Sequence, residues 1–185
     1  MKKIILASKS PRRKELLMSV GIDVEVDVVE TSETLKNDLP IDKAIEEIAR
    51  EKAMAVASRH GDDIIVSADT VVIIDEKVLG KPKDEEEAFD ILSLLRGRTH
   101  QVITSACIFY QGRSEVFSSI TEVEMMDYTD DIIHHYIATK EPLDKAGAYG
   151  IQGKGAILVK SIYGDYYTVM GLPIAEVYAR LQLYL

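Results

Sequence analysis

Apolar positions along the chain follow two rhythms, and the switches between them predict the order of elements. Ile4 to Ala7 is a short apolar run that reads as a buried strand. Ser10 can cap a helix, Pro11 suits its first position and Gly21 can end it. Ile22, Val24, Val26 and Val28 alternate with Asp23, Glu25 and Asp27, the period of a half-buried strand. Ile41, Ala44, Ile45, Ile48, Ala49, Ala53, Val56 and Ala57 recur at helical spacing and predict a long amphipathic helix. Ile64 to Ser67 reads as a buried strand ending in Ala68-Asp69-Thr70; Val71 to Ile74 extends again before an Asp75-Glu76 turn.

Asp84 with Glu87 caps a helix that ends at Arg96-Gly97. Gln101 to Tyr110 and Glu115 to Met125 are rich in strand formers, and Gln111-Gly112 between them predicts a hairpin. Thr129 caps a helix to about Thr139, and Lys140 to Gly153 is irregular and glycine-rich. Two short strands and a last helix from about Pro173 complete the chain. Helices alternating with strands, with hairpins among them, predict an α/β or α+β fold with a mixed sheet.

Composition narrows the picture. The chain has 185 residues, 46% hydrophobic and 29% charged, which points to one domain over 1–185 and excludes disorder. No repeat, linker or low-complexity tract marks a boundary. No run approaches the roughly 18 apolar residues of a membrane span. Met1-Lys2-Lys3 before Ile4-Ile5-Leu6-Ala7 looks briefly like a signal peptide, but the run is too short and Lys9 to Glu15 is charged. A single cysteine, Cys107, excludes an internal disulfide framework and a cysteine-only zinc site; a reduced, cytoplasmic setting is the simplest reading.

The net charge of −9 argues against binding duplex nucleic acid but leaves room for a small anionic substrate. Positive charge is unevenly placed: Lys2, Lys3, Lys9, Arg12, Arg13 and Lys14 crowd the first fourteen residues without an acid among them. An exposed basic helix face is the plainer reading of that run.

Four segments hold candidate chemistry. Ser8-Lys9-Ser10-Pro11-Arg12-Arg13 lies where a strand meets a helix, and a helix start offers unpaired N–H groups to phosphate oxygens. Cations are disfavoured at that end of a helix, so the two guanidiniums there favour an anion site over simple capping. It is not a Walker loop, since the glycines and the Lys-Ser/Thr pair are missing.

Asp69-Thr70 is expected at a strand end, where α/β sheets bind ligands. A carboxylate there can hold a divalent metal or orient an attacking water; a surface turn is the alternative. Glu30 is a weaker candidate of the same kind. In Gly80-Lys81-Pro82 the lysine can neutralise phosphate, and Lys52 sits beside the apolar face of the long helix, where a snorkelling lysine is the default. Asp144 to Gly153 packs small residues with Asp, Lys, Tyr and Gln152, the pattern of a binding loop.

His134 and His135 are adjacent and point apart on a helix, so they form no ligand pair. Cys107 lacks the basic neighbours of a reactive thiol. Tyr163, Tyr166 and Tyr167 can stack on a base or fill a sheet.

Together these segments resemble the septum-formation inhibitor family, usually called Maf. The resemblance rests on Ser8 to Arg13, Ala68-Asp69-Thr70, Gly80-Lys81-Pro82, Lys140-Glu141-Pro142, Asp144 to Gly153, and Gly164-Asp165-Tyr166-Tyr167 with Met170-Gly171-Leu172-Pro173, in that order. It implies an extended mixed sheet with helices on both sides and a cleft between two lobes, similar to the inosine-triphosphate pyrophosphatases. It also implies hydrolysis of nucleoside triphosphates to monophosphate and pyrophosphate with a divalent metal (Mg, Mn or Co). Members are associated with arrest of septum formation and cell division. One branch, acting on dTTP and UTP, carries Asp-Thr and Gln where this chain has Asp69-Thr70 and Gln152; a branch linked to methylated GTP carries Asp-Gln and Glu. A side-chain amide can meet both the acceptors and the N–H donor of a thymine or uracil edge.

The mechanism this implies is water attack at the α-phosphorus. Arg12, Arg13 and Ser8 hold the triphosphate, and Lys52 and Lys81 neutralise pyrophosphate. Asp69 is base or metal ligand, Glu30 its metal partner, and Thr70 and Gln152, with Arg12, select the base. A pyrophosphatase for deaminated purines such as ITP and a nucleotide-binding division regulator that needs no turnover remain as alternatives. A homodimer is compatible with the sequence, and it identifies no division partner.

Overall fold

The structure is a computed structural model, and it describes residues 2–36 and 38–185; Met1, part of the leader-like start, lies outside them. Among the described residues seven strands, β1 (Ile4–Leu6), β2 (Glu25–Val26), β3 (Ile64–Ile74), β4 (Lys77–Leu79), β5 (Thr99–Tyr110), β6 (Arg113–Met125) and β7 (Val159–Tyr163), form one mixed sheet in the order β2-β1-β3-β5-β6-β7, with β4 paired to β3. The chain divides into two compact units, Met1–Asp69 with Thr104–Ser119 and Gly171–Leu185, and Thr70–Ile103 with Ile120–Met170. Among the described residues no helix is long and apolar enough to cross a membrane.

The first unit begins with β1 (Ile4–Leu6), α1 (Pro11–Ser19) and β2 (Glu25–Val26). β1 is parallel to β2 and to β3, with Ile5 opposite both Glu25 and Ile65. The strand expected over Ile22 to Val28 shrinks to two exposed residues. β2 is an edge strand whose partner β1 has only three residues, and the Asp27 carboxylate beyond it is engaged by His60 at 2.8 Å.

α2 (Ile41–Ala57) spans the predicted residues and buries Ala44, Ile45, Ile48, Ala49, Ala53 and Val56. β3 (Ile64–Ile74) enters beneath it. Ile5, Ala7, Ala49, Ala53, Val56, Ile65 and Cys107 form one core cluster. Burying side chains of this size contributes about 1.5–3 kcal/mol for each valine or isoleucine. α6 (Ile174–Leu181) closes the unit.

β3 corrects the sequence reading. It is one strand of eleven residues, so Asp69-Thr70 lies inside a strand and not at its end. Asp is a poor strand former, which suggested a break, but the partner that Asp69 finds on α2 offsets that preference. The dipeptide follows the last rung with β1, at Val66, and precedes the first rung with β4, at Val72.

In the second unit β3 turns through Asp75 (φ 49°) and Glu76 (φ 62°) into β4 (Lys77–Leu79), a short strand with no apolar period of its own. α3 (Glu85–Leu95) starts as predicted, with the Asp84 carboxylate accepting from Glu87 N–H at 2.9 Å. β5 (Thr99–Tyr110) and β6 (Arg113–Met125) form the predicted hairpin, with Gln111 and Gly112 both at positive φ. α4 (Asp130–Ile137) is capped by Thr129.

The irregular stretch resolves into 3₁₀ turns at Glu141–Asp144, Ala146–Ala148 and Gly153–Leu158. Of the two late strands expected, only β7 (Val159–Tyr163) forms, antiparallel to β6. The following Tyr166–Met170 is helix α5, because the Asp165 carboxylate accepts from Tyr167 N–H and Thr168 N–H at its start.

Candidate active site

The first unit holds one cationic and one acidic group of side chains, each fixed by the local fold. Ser8 lies in the turn between β1 and α1 and is buried. Its hydroxyl, and not that of Ser10, organises the turn: it accepts from Ser10 N–H at 3.2 Å and from Arg13 Nη1 at 2.9 Å. The expected Ser10 cap makes no side-chain hydrogen bond. Arg13 is buried and donates through Nε to the Gly171 carbonyl at 2.7 Å.

Burial pushes the Arg13 guanidinium below its ordinary pKa, while the Asp69 carboxylate opposes that fall. A guanidinium nevertheless keeps its proton in proteins. Arg12, half-buried between exposed Pro11 and buried Arg13, has no hydrogen-bond or ion-pair partner among the described residues. No acid stands in the first turn of α1. The start of this helix is thus doubly positive, which is unfavourable without an anion.

The acidic group follows from two periodicities. Ile65, Ser67 and Asp69 alternate on β3 and share one face of the strand. Ser67 donates to the Ala49 carbonyl of α2 at 2.5 Å, and Ile65 packs with Ala49 and Ala53. Continuing that face brings Asp69 to Lys52, one turn along α2 from Ala49. Lys52 Nζ donates to Asp69 Oδ1 at 2.6 Å and pairs with Glu33 Oε1 at 2.8 Å. The Lys52 and Asp69 side chains are only 12% and 14% exposed, so this pair is shielded as surface pairs are not. Asp69 Oδ2 has no hydrogen-bond partner among the described residues and keeps its lone pairs for a ligand.

Glu30, expected as the second carboxylate, pairs instead with Lys9 at 3.4 Å in an exposed contact. The carboxylate that shares Lys52 with Asp69 is Glu33, which the sequence reading missed. It stands three residues after Glu30 in a segment with no period to mark it. Among the described residues no three His, Cys, Asp or Glu side chains converge as a preformed metal cluster. Asp69 and Glu33 together are a pair of hard oxygen donors at one cation, the donor type that suits a hard divalent ion completed by waters and phosphate oxygens.

In the second unit Thr70 is half-buried, Lys81 is exposed without a partner among the described residues, and Gln152 is exposed at the start of the last 3₁₀ turn. The loops of Lys81 and Gln152 are joined, since Gly147 N–H donates to the Gly80 carbonyl at 3.0 Å. His134 stacks on Phe89 and His135 Nδ1 lies 2.6 Å from the Asp131 carbonyl, so the two rings have separate partners. Burial pushes the Cys107 thiol up to about 12, which makes it inert.

A sequence profile described as "Maf-like protein" matches residues 3–184. A protein of Bacillus cytotoxicus named dTTP/UTP pyrophosphatase is 50% identical over 98% of this chain and 95% of its own length. A Bacillus velezensis protein of the same name is 49% identical over 98% of this chain and 96% of its own. Among solved structures, that of the Staphylococcus aureus Ham1 protein aligns over 100% of both chains with a TM-score of 0.60 at 16% identity, a likeness of fold alone.

Proposed function

Because the chain belongs to the Maf-like protein family, we propose that it hydrolyses nucleoside triphosphates, dTTP and UTP in particular, to the monophosphate and pyrophosphate. The observation that carries the reading is the shielded Lys52–Asp69 pair, 2.6 Å apart, in the same unit as the buried Arg13. The triphosphate presents charge to cations, and the chemistry needs a carboxylate aimed at a water. Both are present.

In the proposed reaction Arg12 and Arg13 hold the phosphates, helped by the N–H groups at the start of α1. Asp69 Oδ2 takes a proton from water as the water oxygen attacks the α-phosphorus. The α-phosphorus–oxygen bond to the β-phosphate breaks, and pyrophosphate leaves with its charge balanced by Lys52 and Lys81. Lys52 also fixes the Asp69 carboxylate, so that the lone pair on Oδ2 keeps one direction. In the alternative role Asp69, with Glu33, would hold a divalent cation that supplies charge stabilisation to phosphate oxygens. Thr70 and Gln152 read the base, the amide of Gln152 offering a donor and an acceptor to a thymine or uracil edge. Such an enzyme serves the nucleotide pool of the cytoplasm.

Incubation with magnesium or manganese and each of dTTP, UTP, CTP, dGTP and ITP, with products resolved chromatographically, tests the reading. Monophosphate and pyrophosphate from dTTP and UTP, lost in Asp69→Asn, is the expected result. Preference for ITP would favour a purine house-cleaning enzyme, and diphosphate with orthophosphate would place attack at the wrong phosphorus. Binding without turnover would leave a nucleotide-responsive regulator of division.

A further inference from the structure

We propose that Tyr136 and Glu141 are positioning residues that fix the loop carrying Gln152 in its base-reading conformation. The identity of the base rests on the activity proposed above; the bracing of the loop does not. Gln152 sits in a short segment pinned on both sides. On one side Gly150 N–H donates to the Tyr136 hydroxyl at 3.0 Å. On the other, Lys154 N–H and Gly155 N–H donate to Glu141 Oε2 and Oε1 at 3.2 and 3.3 Å. The two anchors are themselves joined, since the Tyr136 hydroxyl donates to Glu141 Oε1 at 3.2 Å. Burial raises the Tyr136 phenol above its ordinary pKa and Glu141 adds to the rise, so the hydroxyl stays a donor. Lys145 Nζ, donating to the Glu141 carbonyl at 2.7 Å, ties the anchor residue back to the loop.

The glycines permit this close approach. A Cβ on Gly155 would lie 2.4 Å from the Gly150 carbonyl oxygen and 2.6 Å from the Tyr136 hydroxyl. Gly153 has φ +65° and would meet Glu141 Oε2 at 3.1 Å. The backbone is therefore folded tightly around one carboxylate and one phenol. Between the anchors, Gln152 is exposed and its amide has no partner among the described residues. A fixed backbone under an unengaged amide is what selective recognition needs, because a group loose by about 1 Å loses its directional hydrogen bonds. Charge-assisted N–H bonds to a carboxylate are the strong means of fixing it.

Glu141→Gln and Tyr136→Phe test this; the second removes only a hydroxyl and carries the test if the first fails to fold. Amide exchange at Gly150, Lys154 and Gly155 is expected to quicken roughly tenfold or more, with α3 unchanged. The KM for UTP is expected to rise roughly tenfold and UTP-over-ITP selectivity to fall by a similar factor, while inhibition by pyrophosphate stays within about twofold. Unchanged loop exchange would overturn the brace. Quicker exchange with selectivity intact, or pyrophosphate inhibition weakened in parallel with UTP, would overturn its role in reading the base. A parent protein that turns over neither nucleotide overturns the proposed activity, and selectivity is then read from UTP and ITP dissociation constants. A parent that binds neither overturns both proposals, while exchange still reports the brace.

Discussion

Arg13 carries its charge into the interior of its unit, where Ser8 and the Gly171 carbonyl take N–H groups in fixed directions. A lysine keeps the charge but cannot make those bonds together. Arg13→Lys is expected to raise the KM for dTTP roughly tenfold with the circular dichroism unchanged, and an unchanged KM would remove Arg13 from phosphate binding. Asp69→Asn keeps the shape of the side chain but replaces an acceptor oxygen with an NH2 group. Its kcat for UTP is expected to fall about a thousandfold, measured under saturating substrate. These positions are legible because unusual residue types stand in short motifs: two arginines at a helix start, an aspartate inside an apolar run. Glu33 is not, since its importance depends on Lys52, far along the chain, and nothing local separates it from Glu30. Tyr136 and Glu141 are likewise invisible as a pair, because only the folded loop brings their oxygens to its N–H groups.

Among the elements, α3 is fixed at its start by the Asp84 carboxylate. Asp84→Ala is expected to cost about 1 kcal/mol, and so lower the Tm by about 2–4 °C in a chain of this size, without loss of activity; calorimetry and the UTP assay together check it. Gly147, at φ +70°, has Val72 Cγ2 2.7 Å from where a Cβ would stand, so Gly147→Ala is expected to lower the Tm several times more. Caps, hairpin turns and the long apolar stripe of α2 are written in neighbouring residues, which is why these elements are predictable. β2 and the unbroken course of β3 are settled by partners distant in sequence, and β4 by the strand just before it, onto which the Asp75-Glu76 turn folds it. The alternation from Ile22 to Val28 promises a longer strand than its three-residue partner β1 can hold. α5 escapes notice because Tyr and Val favour strands, and only the Asp165 carboxylate at its start reverses that preference.

For the molecule as a whole, one buried histidine couples folding to acid. His100 is buried with Nε2 2.7 Å from the Tyr149 hydroxyl, and burial lowers its pKa from 6.5 to about 4. Below pH 6.5 the unfolded chain therefore binds more protons at this site than the folded one. This site is expected to lower stability as the pH drops from 6.5 to about 4, by about 3 kcal/mol in all, and then to level. Asp27, held low chiefly by its hydrogen bond from His60, acts in a different window: its contribution is full above 3.8 and is lost as pH falls further. His100→Gln is expected to flatten the urea midpoint between pH 6.5 and 4, and an unchanged slope would assign the acid sensitivity elsewhere. The bond from Arg13 to the Gly171 carbonyl has a consequence in time. It spans 158 residues, and at about 5–20 residues per second the ribosome needs about 8–30 s to cover that distance. Throughout that interval the arginine has been made but the carbonyl that aims it has not. The turn that holds Ser8 and Arg13 is thus among the earliest parts synthesised and among the last to acquire its final geometry.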